Sequence, residues 1–395
     1  MKKVSTTTVC GATTTRGVGN TARGQVTIGM DLGDKFHVLR ELDAAGRVVG
    51  EDRIAATRRA LEREFSRRSP VTVAIEAGTH SPWVSRALEG WGHTVIVGNP
   101  RKVRAITSST TKCDDRDAEM LARLARADRA LLSPIRHRSE AAQADRAVLK
   151  SRDILVRSRT MMILHCRGVA KSFGAPLASY SAESFAVKAR QEIPAVLAPA
   201  LTPVLDSIED LTRRIRKIDE EIEQTCQEKY PETEPLRTIR GVGALTALAY
   251  VLTLEEEERF AKSRAVGAYL GLVPRRDQSG ESDKQLRITK AGDRLMRRLL
   301  VSSAHYILGP FGADSDLRRW GLAKCECGGK NAKKRAVVGV ARKLAVLLHR
   351  LWRSGEAYDP FHDSRRKEAF REKKERRMGR EGDRGARANA VVAAS

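Results

Sequence analysis

Leu201, Ile208, Ile215 and Ile222 stand seven residues apart, with Val204, Leu211 and Ile218 offset by three. Such spacing keeps one apolar stripe turned toward a partner along the whole length of a helix, here over about three heptads. A long helical arm is therefore expected in the middle of the chain, ended by Pro231 and Pro235. The seam suggests a coiled coil through which two copies associate; an ordinary long bundle helix carries the same pattern.

The residues before the arm follow a different period. Val26–Met30 reads as a strand running into Asp31, His37–Leu42 as a second strand, and Val48-Val49 as the start of a third after the turn at Ala45-Gly46. Their close spacing predicts an antiparallel meander. Ala56–Arg67 has helical character, Val71, Val73 and Ile75 alternate into Glu76, Pro82–Glu89 reads as helix and Thr94–Val97 as strand. Three strands, helix, strand, helix, strand is the order of a ribonuclease H-like α/β fold. From Asp117 onward the pattern is helical, and a second compact domain begins near Leu236. The expected organisation is a polar leader over 1–25, an α/β domain over 26–165, a helical coiled-coil arm over 166–235, a mainly helical domain over 236–360 and a disordered charged tail over 361–395.

Two of the strands end in carboxylates, Asp31 and Glu76, and a ribonuclease H-like sheet sets those strands side by side. Asp114 and Asp117, three apart at a helix start, can face one centre. Four oxygen donors of this kind suit two magnesium ions, with manganese as an alternative, positioned to orient a phosphodiester. Any one of these acids taken singly also fits a capping or solvated role. Asp115 should point about 100° away from Asp114 on the helix and is expected at the surface or behind the centre. Asp34 reads as a turn residue, and His37 and His80 as packing or loop residues.

Charge decides the partner. Lysine and arginine total 73 against 49 acidic residues, a net charge of +24 in 395 residues, which favours DNA or RNA, with an anionic membrane surface or a ribosome-like assembly as the alternative. Lys112 beside the paired aspartates, and Arg275, Arg276, Lys284, Arg287, Lys290 and Arg294 farther on, are candidate phosphate contacts. Arg240-Gly241-Val242-Gly243 before a helix resembles a helix-hairpin-helix phosphate contact, glycines letting backbone amides approach the anion; a plain helix-entry turn is the alternative. Six cysteines without a disulfide framework suit a reducing cytoplasm, and Cys325-Glu326-Cys327 is too short for a zinc site. The polar N-terminus reads as neither signal peptide nor membrane anchor.

Ile28-Gly29-Met30-Asp31-Leu32-Gly33, Ala74-Ile75-Glu76-Ala77-Gly78 and Lys112-Cys113-Asp114-Asp115-Arg116-Asp117-Ala118 resemble, in order, the acidic motifs of the insertion sequence one-ten group of transposases. That group joins a RuvC-like DEDD domain to a C-terminal transposase domain. Cys113 stands where threonine is usual. Tyr269–Pro274, Gln278-Ser279-Gly280, Arg287–Gly292, Leu295–Leu300, Gly328–Lys334 and Val340–Ala345 continue the resemblance, which spans roughly residues 26 to 360.

The resemblance implies a DNA recombinase with Ser279 as nucleophile, although a serine before glycine in a polar loop would otherwise read as a turn residue. It also implies donor and target DNA as substrates, a structured bridge RNA that pairs with both, and a homodimer that forms a tetramer at synapsis. In such an assembly the acidic site of one subunit is completed by the serine of another. Without the resemblance, a DEDD nuclease or Holliday-junction resolvase that uses water in place of serine, and a non-catalytic nucleic-acid scaffold, remain open.

Overall fold

A computed structural model of the chain describes residues 26–106, 114–280, 282–326 and 328–371. The leader, Lys112, Cys113, Cys327 and the end of the tail lie outside them. The chain divides into two units, Met1–Arg138 and Ser139–Ser395.

In the first unit, β1 (Thr27–Leu32), β2 (Phe36–Leu42) and β3 (Val48–Ala55) form an antiparallel meander. Then α1 (Arg58–Phe65), β4 (Thr72–Glu76), α2 (Ser81–Gly90), β5 (Thr94–Gly98), α3 (Pro100–Ile106) and α4 (Asp114–Ala127) follow. The sheet order is β3-β2-β1-β4-β5, with β4 parallel to both β1 and β5. This is the element order expected from the apolar periodicity. Alternation along β4 explains the layers: Val73 and Ile75 join Ile28, Met30, Leu61, Phe65 and Leu88 on one face, while Ala74 packs with Leu121, Leu124 and Ala125 on the other. Covered on both sides, β1 and β4 each follow a buried threonine, Thr27 or Thr72, with an unbroken buried run, Ile28–Met30 and Val73–Ile75, that carries no polar side chain. The outer strand β3 is mostly exposed and carries Glu51, Asp52 and Arg53, charges that protect a sheet edge from further pairing.

The second unit is mostly helical. It contains α5 (Glu140–Ser172), α6 (Phe185–Glu192), α7 (Ala198–Lys229), α8 (Thr233–Arg237), α9 (Ala244–Leu254), α10 (Arg264–Tyr269), the hairpin β6 (Pro274–Ser279) and β7 (Ser282–Ile288), α11 (Arg294–Leu308), α12 (Asp316–Glu326) and α13 (Ala332–Ser354). Helix α9 is buried from Thr246 to Leu254 and forms the centre of the main core with α11 and α13. Tyr250 is wholly buried there, and its hydroxyl donates to the Ala345 carbonyl at 2.6 Å.

Helix α7 carries the heptad seam, and α5 of the same chain covers it. Arg152 pairs with Asp219, Arg159 donates to Thr212 Oγ1 at 3.2 Å, and Cys166 and Ala170 share a cluster with Leu201, Leu205 and Ile208, so the helices run antiparallel. Leu201, Ile208, Ile215 and Ile222 are all buried in this way, with Leu205, Thr212 and Cys226 beside them, whereas Val204, Leu211 and Ile218 are only half-buried. The seam expected to join two copies thus has an intramolecular occupant.

Two further expectations differ. Ser279 ends strand β6 instead of lying in a loop: Ser279 pairs with Ser282 across a tight turn in which Gly280 takes φ +56°. The tail is not structureless from residue 361, because residues 362–371 are helical. Asp316 at the start of α12 holds this segment, accepting from the Ser364 backbone N–H at 2.8 Å and from its hydroxyl, while the Asp316 N–H donates to the Pro360 carbonyl at 2.8 Å. Composition suggested disorder because these anchoring bonds lie outside the tail's own sequence. Among the described residues no helix is long and apolar enough to cross a membrane.

Candidate active site

Parallel pairing of β1 with β4 sets Met30 opposite Ile75, so Asp31 and Glu76 are the next residues on neighbouring strands. The paired aspartates arrive from the other side. Helix α4 crosses β1 at Gly29, where a β-carbon would lie 1.8 Å from the Ala118 carbonyl oxygen and 2.7 Å from the Ala122 nitrogen. Only glycine permits that approach, and the approach brings the first turn of α4, with Asp114 and Asp117, toward the end of β1.

Asp31 registers the result. Its carboxyl is raised to about 6, first by burial and then by the negative charges of Asp114, Asp117 and Glu76. The four expected acids therefore share one electrostatic neighbourhood. Hard divalent cations match this all-oxygen donor set and would relieve the repulsion. Among the described residues, however, no three acidic, histidine or cysteine side chains converge tightly enough to enclose an ion. The donor chemistry fits; closing the ligands around a metal requires side-chain movement.

Asp115 turns elsewhere, as its helical phase predicts. Its Oδ1 lies 2.9 Å from Arg40 Nη2, which also reaches Glu51 at 3.4 Å. Arg40 is a residue that the sequence reading passed over; its signal is a lone cation within the apolar strand Phe36–Leu42. Beyond Asp31 and Glu76, Trp83 Nε1 donates to His80 Nδ1 at 3.2 Å, which leaves the proton on Nε2, 3.3 Å from Asp34 Oδ1. His37 is buried beneath, its ring centre 5.7 Å from that of His80, and burial together with His80 pushes it down to about 4. It is a neutral packing residue.

In the second unit, Ser279 sits at the tip of a hairpin whose root is firmly held. Gly271 and Gly292 both have positive φ, and each leaves no room for a β-carbon against the other's segment: 2.3 Å from Ala291 N and 2.3 Å from the Tyr269 carbonyl oxygen, respectively. Lys290 N–H donates to the Gly271 carbonyl at 3.1 Å, and Arg297 Nη1 donates to the Leu270 and Ala291 carbonyls. Arg275, Arg276, Arg287, Lys290 and Arg294 are exposed around it, and Lys284 lies on β7. Arg240 is exposed too. Gly241 and Gly243 play unlike parts: Gly241, at φ +96°, packs against the Tyr306 ring, while Gly243 caps α9 with open space around its α-carbon. Gly243 stands at the N-terminus of α9, where unpaired backbone amides favour an anion. Lys112 lies outside the described residues.

Comparison with known proteins agrees with these two regions. Residues 28–173 match a family model described as a DEDD transposase, and residues 233–311 match one described as transposase, IS116/IS110/IS902 family. The chain is 28% identical to the transposase for insertion sequence element IS1111A of Coxiella burnetii over 343 residues, covering 84% of this chain and 90% of that one. It is 29% identical over 281 residues to the transposase for IS1328 of Yersinia enterocolitica, covering 70% and 82%. A pilin gene-inverting protein of Moraxella bovis is 26% identical over 300 residues, covering 74% and 83%.

Proposed function

We propose that this chain acts as a transposase of the IS110/IS1111 family, whose models match both of its halves, and that it cuts and rejoins DNA through a covalent bond between Ser279 and a DNA phosphate. On this reading it is a DNA-recombining enzyme. Asp31, Glu76, Asp114 and Asp117 would hold magnesium, and the observation that carries this is the β1–β4 register that sets Asp31 beside Glu76, with the close α4–β1 approach at Gly29 that brings the first turn of α4 toward them. Bound there, the metal would polarise the phosphate and offset charge on its oxygens.

Serine is a weak nucleophile until its proton is removed or its target is polarised. As the Ser279 Oγ–P bond forms, the P–O bond to the adjoining nucleotide breaks. The serine proton passes to solvent, and the departing DNA oxygen takes one up to leave as a hydroxyl. Attack by the hydroxyl of another strand on the phosphoserine reverses these changes, so exchange consumes no outside energy source. The pinned root of the β6–β7 hairpin supports a nucleophile presented on a fixed element, and the exposed cations around it support a DNA backbone at the same place.

Partner choice follows the same reading. A structured bridge RNA would pair with donor and target DNA and select the sites, leaving the protein to hold RNA and DNA by shape and phosphate. The net charge of +24 supports so extensive a polyanionic load. The active assembly would be a homodimer, doubled to a tetramer at synapsis, with acids and serine of different subunits completing each site.

The test is adduct capture. Protein incubated with element DNA and magnesium, then denatured in detergent, should carry covalently bound DNA. Ser279→Ala should bind nucleic acid as before and yield none. Undiminished adduct from Ser279→Ala would remove the nucleophile, and strand cleavage without any adduct would point to a DEDD nuclease that uses water.

A further inference from the structure

Away from the acids and the serine hairpin, α12, α13 and the segment after α13 enclose a cavity of 560 Å³. That lies within the range of about 300–1,000 Å³ typical of ligand sites. One wall is a single face of α13, on which Gly339, Arg342, Lys343, Val346 and Arg350 recur at helical spacing; Arg264 joins them from α10. Trp320 of α12 and Tyr358 of the segment after α13 also line it. Gly339 lets the Trp320 ring lie close against α13: a β-carbon there would meet the ring at 3.0 Å.

The charges in this cavity are unevenly matched. Its three carboxylates are engaged by the segment that closes it: Asp316 by Ser364, Asp359 by the Phe361 N–H and Arg365, and Asp363 by His362 at 3.4 Å. Arg264, Arg342 and Arg350 have no hydrogen-bonded or ion-paired partner among the described residues. Lys343 rests over the Trp320 ring, 4.2 Å from its centre. Unpaired guanidinium groups beside aromatic and aliphatic surface are suited to a ligand that is anionic at one end and flat and apolar at the other.

We propose that this cavity takes one unpaired nucleotide of an RNA or DNA strand, its phosphate on Arg342 and Arg350 and its base in the part lined by Trp320 and Tyr358. Guanidinium groups bind phosphate with two parallel hydrogen bonds, and splayed bases are characteristically held against aromatic side chains. The cavity holds one nucleotide, not a duplex, so single-stranded segments are selected over paired ones. The inference rests on the reading that the chain works on nucleic acid, but it needs neither Ser279 nor the four acids.

Binding of labelled oligouridylate and oligothymidylate to the full chain, measured in EDTA so that no strand is cut, tests this directly. Arg342→Glu/Arg350→Glu should weaken single-strand binding by about 10-fold more than Arg58→Glu/Arg59→Glu, an exposed pair on α1 that imposes the same charge change. Oligonucleotides carrying 5-iodouracil should cross-link to peptides containing Trp320 or Tyr358. The strand type that loses more affinity identifies the source, RNA or DNA. Equal losses in both double variants, or cross-links confined to other peptides, would overturn the proposal. If charge reversal unfolds the unit, as circular dichroism would reveal, Arg342→Gln/Arg350→Gln is read by the same criterion. Equal losses in both double variants, with Ser279 adducts still formed by the wild type, would sink the cavity and leave the transposase mechanism standing.

Discussion

Asp115 Oδ1 lies 2.9 Å from Arg40 Nη2, while Asp114 and Asp117, on the same turn of α4, act on Asp31. One helical turn therefore separates a structural carboxylate from two candidate ligands. Asp114→Ala or Asp117→Ala should reduce magnesium-dependent strand cleavage by about 100-fold or more, since each removes a charge and a metal ligand worth several kcal/mol in the transition state. Asp115→Asn should keep the wild-type magnesium response and lose at most about 1 kcal/mol of stability, because its pair with Arg40 is partly exposed. Initial cleavage rates across a magnesium titration distinguish the three. Equal rates for all of them would remove the acids from catalysis.

Gly29 is expected to be as sensitive as the acids although it contributes no side chain. In Gly29→Ala the new methyl group meets the α4 backbone at a separation no real β-carbon tolerates, so helix and strand must part. Overpacking of this kind costs about 1–3 kcal/mol, and here it also moves Asp114 and Asp117 away from Asp31. Urea denaturation should reveal the destabilisation, and cleavage measured well below the unfolding transition should fall further than the lost folded fraction accounts for. Full activity per folded molecule would show that the α4–β1 approach does not set the centre.

A dependence on pH follows from Asp31. Its carboxyl rises from the ordinary 3.8 to about 6 on folding, so between those values the folded, metal-free protein retains a proton that the unfolded chain has released. The stabilisation is complete below the unfolded value and is lost as pH rises through the folded one. Melting temperature of the metal-free protein should therefore fall across this window, and Asp31→Asn should flatten that part of the profile. Added magnesium should stabilise the wild type more at about pH 7 than at about pH 5, since metal competes with the proton. Identical pH profiles for wild type and Asp31→Asn would dismiss the shared charge field.

Much of the first unit was legible because both of its signals are local. Buried strands declare themselves as short apolar runs, and Asp31 and Glu76 stand where those runs stop. Asp114 and Asp117 are legible as a pair from helical phase alone. Gly29 was readable only as part of a motif, since its reason is the backbone of α4, nearly ninety residues farther on. The β6–β7 hairpin escaped notice because its strands are polar in sequence, with little apolar alternation to report them. Its hold on the fold comes from the Gly271 and Gly292 contacts and from Arg297, all outside the strands. The helix at 362–371 was missed for a similar reason: its composition is that of a solvated tail, and Asp316 supplies the order.

The heptad seam yields the last prediction. Ile208 is fully buried in the cluster that α7 makes with α5 and α6. Ile208→Ala removes three carbons from a packed site and should cost about 2–5 kcal/mol, the transfer loss plus the cavity left behind. Because the covering helix belongs to the same chain, that loss should be the same at low and high protein concentration, whereas a seam between copies would couple unfolding to dissociation. Denaturation midpoints over a hundredfold range of concentration, together with sedimentation of the native variant, separate the cases. Concentration-dependent destabilisation, or a folded variant of wild-type stability that sediments as a smaller assembly, would return the seam to the subunit interface. Otherwise association of two copies must use other surfaces, and substitutions that separate subunits should be sought away from Leu201, Ile208, Ile215 and Ile222.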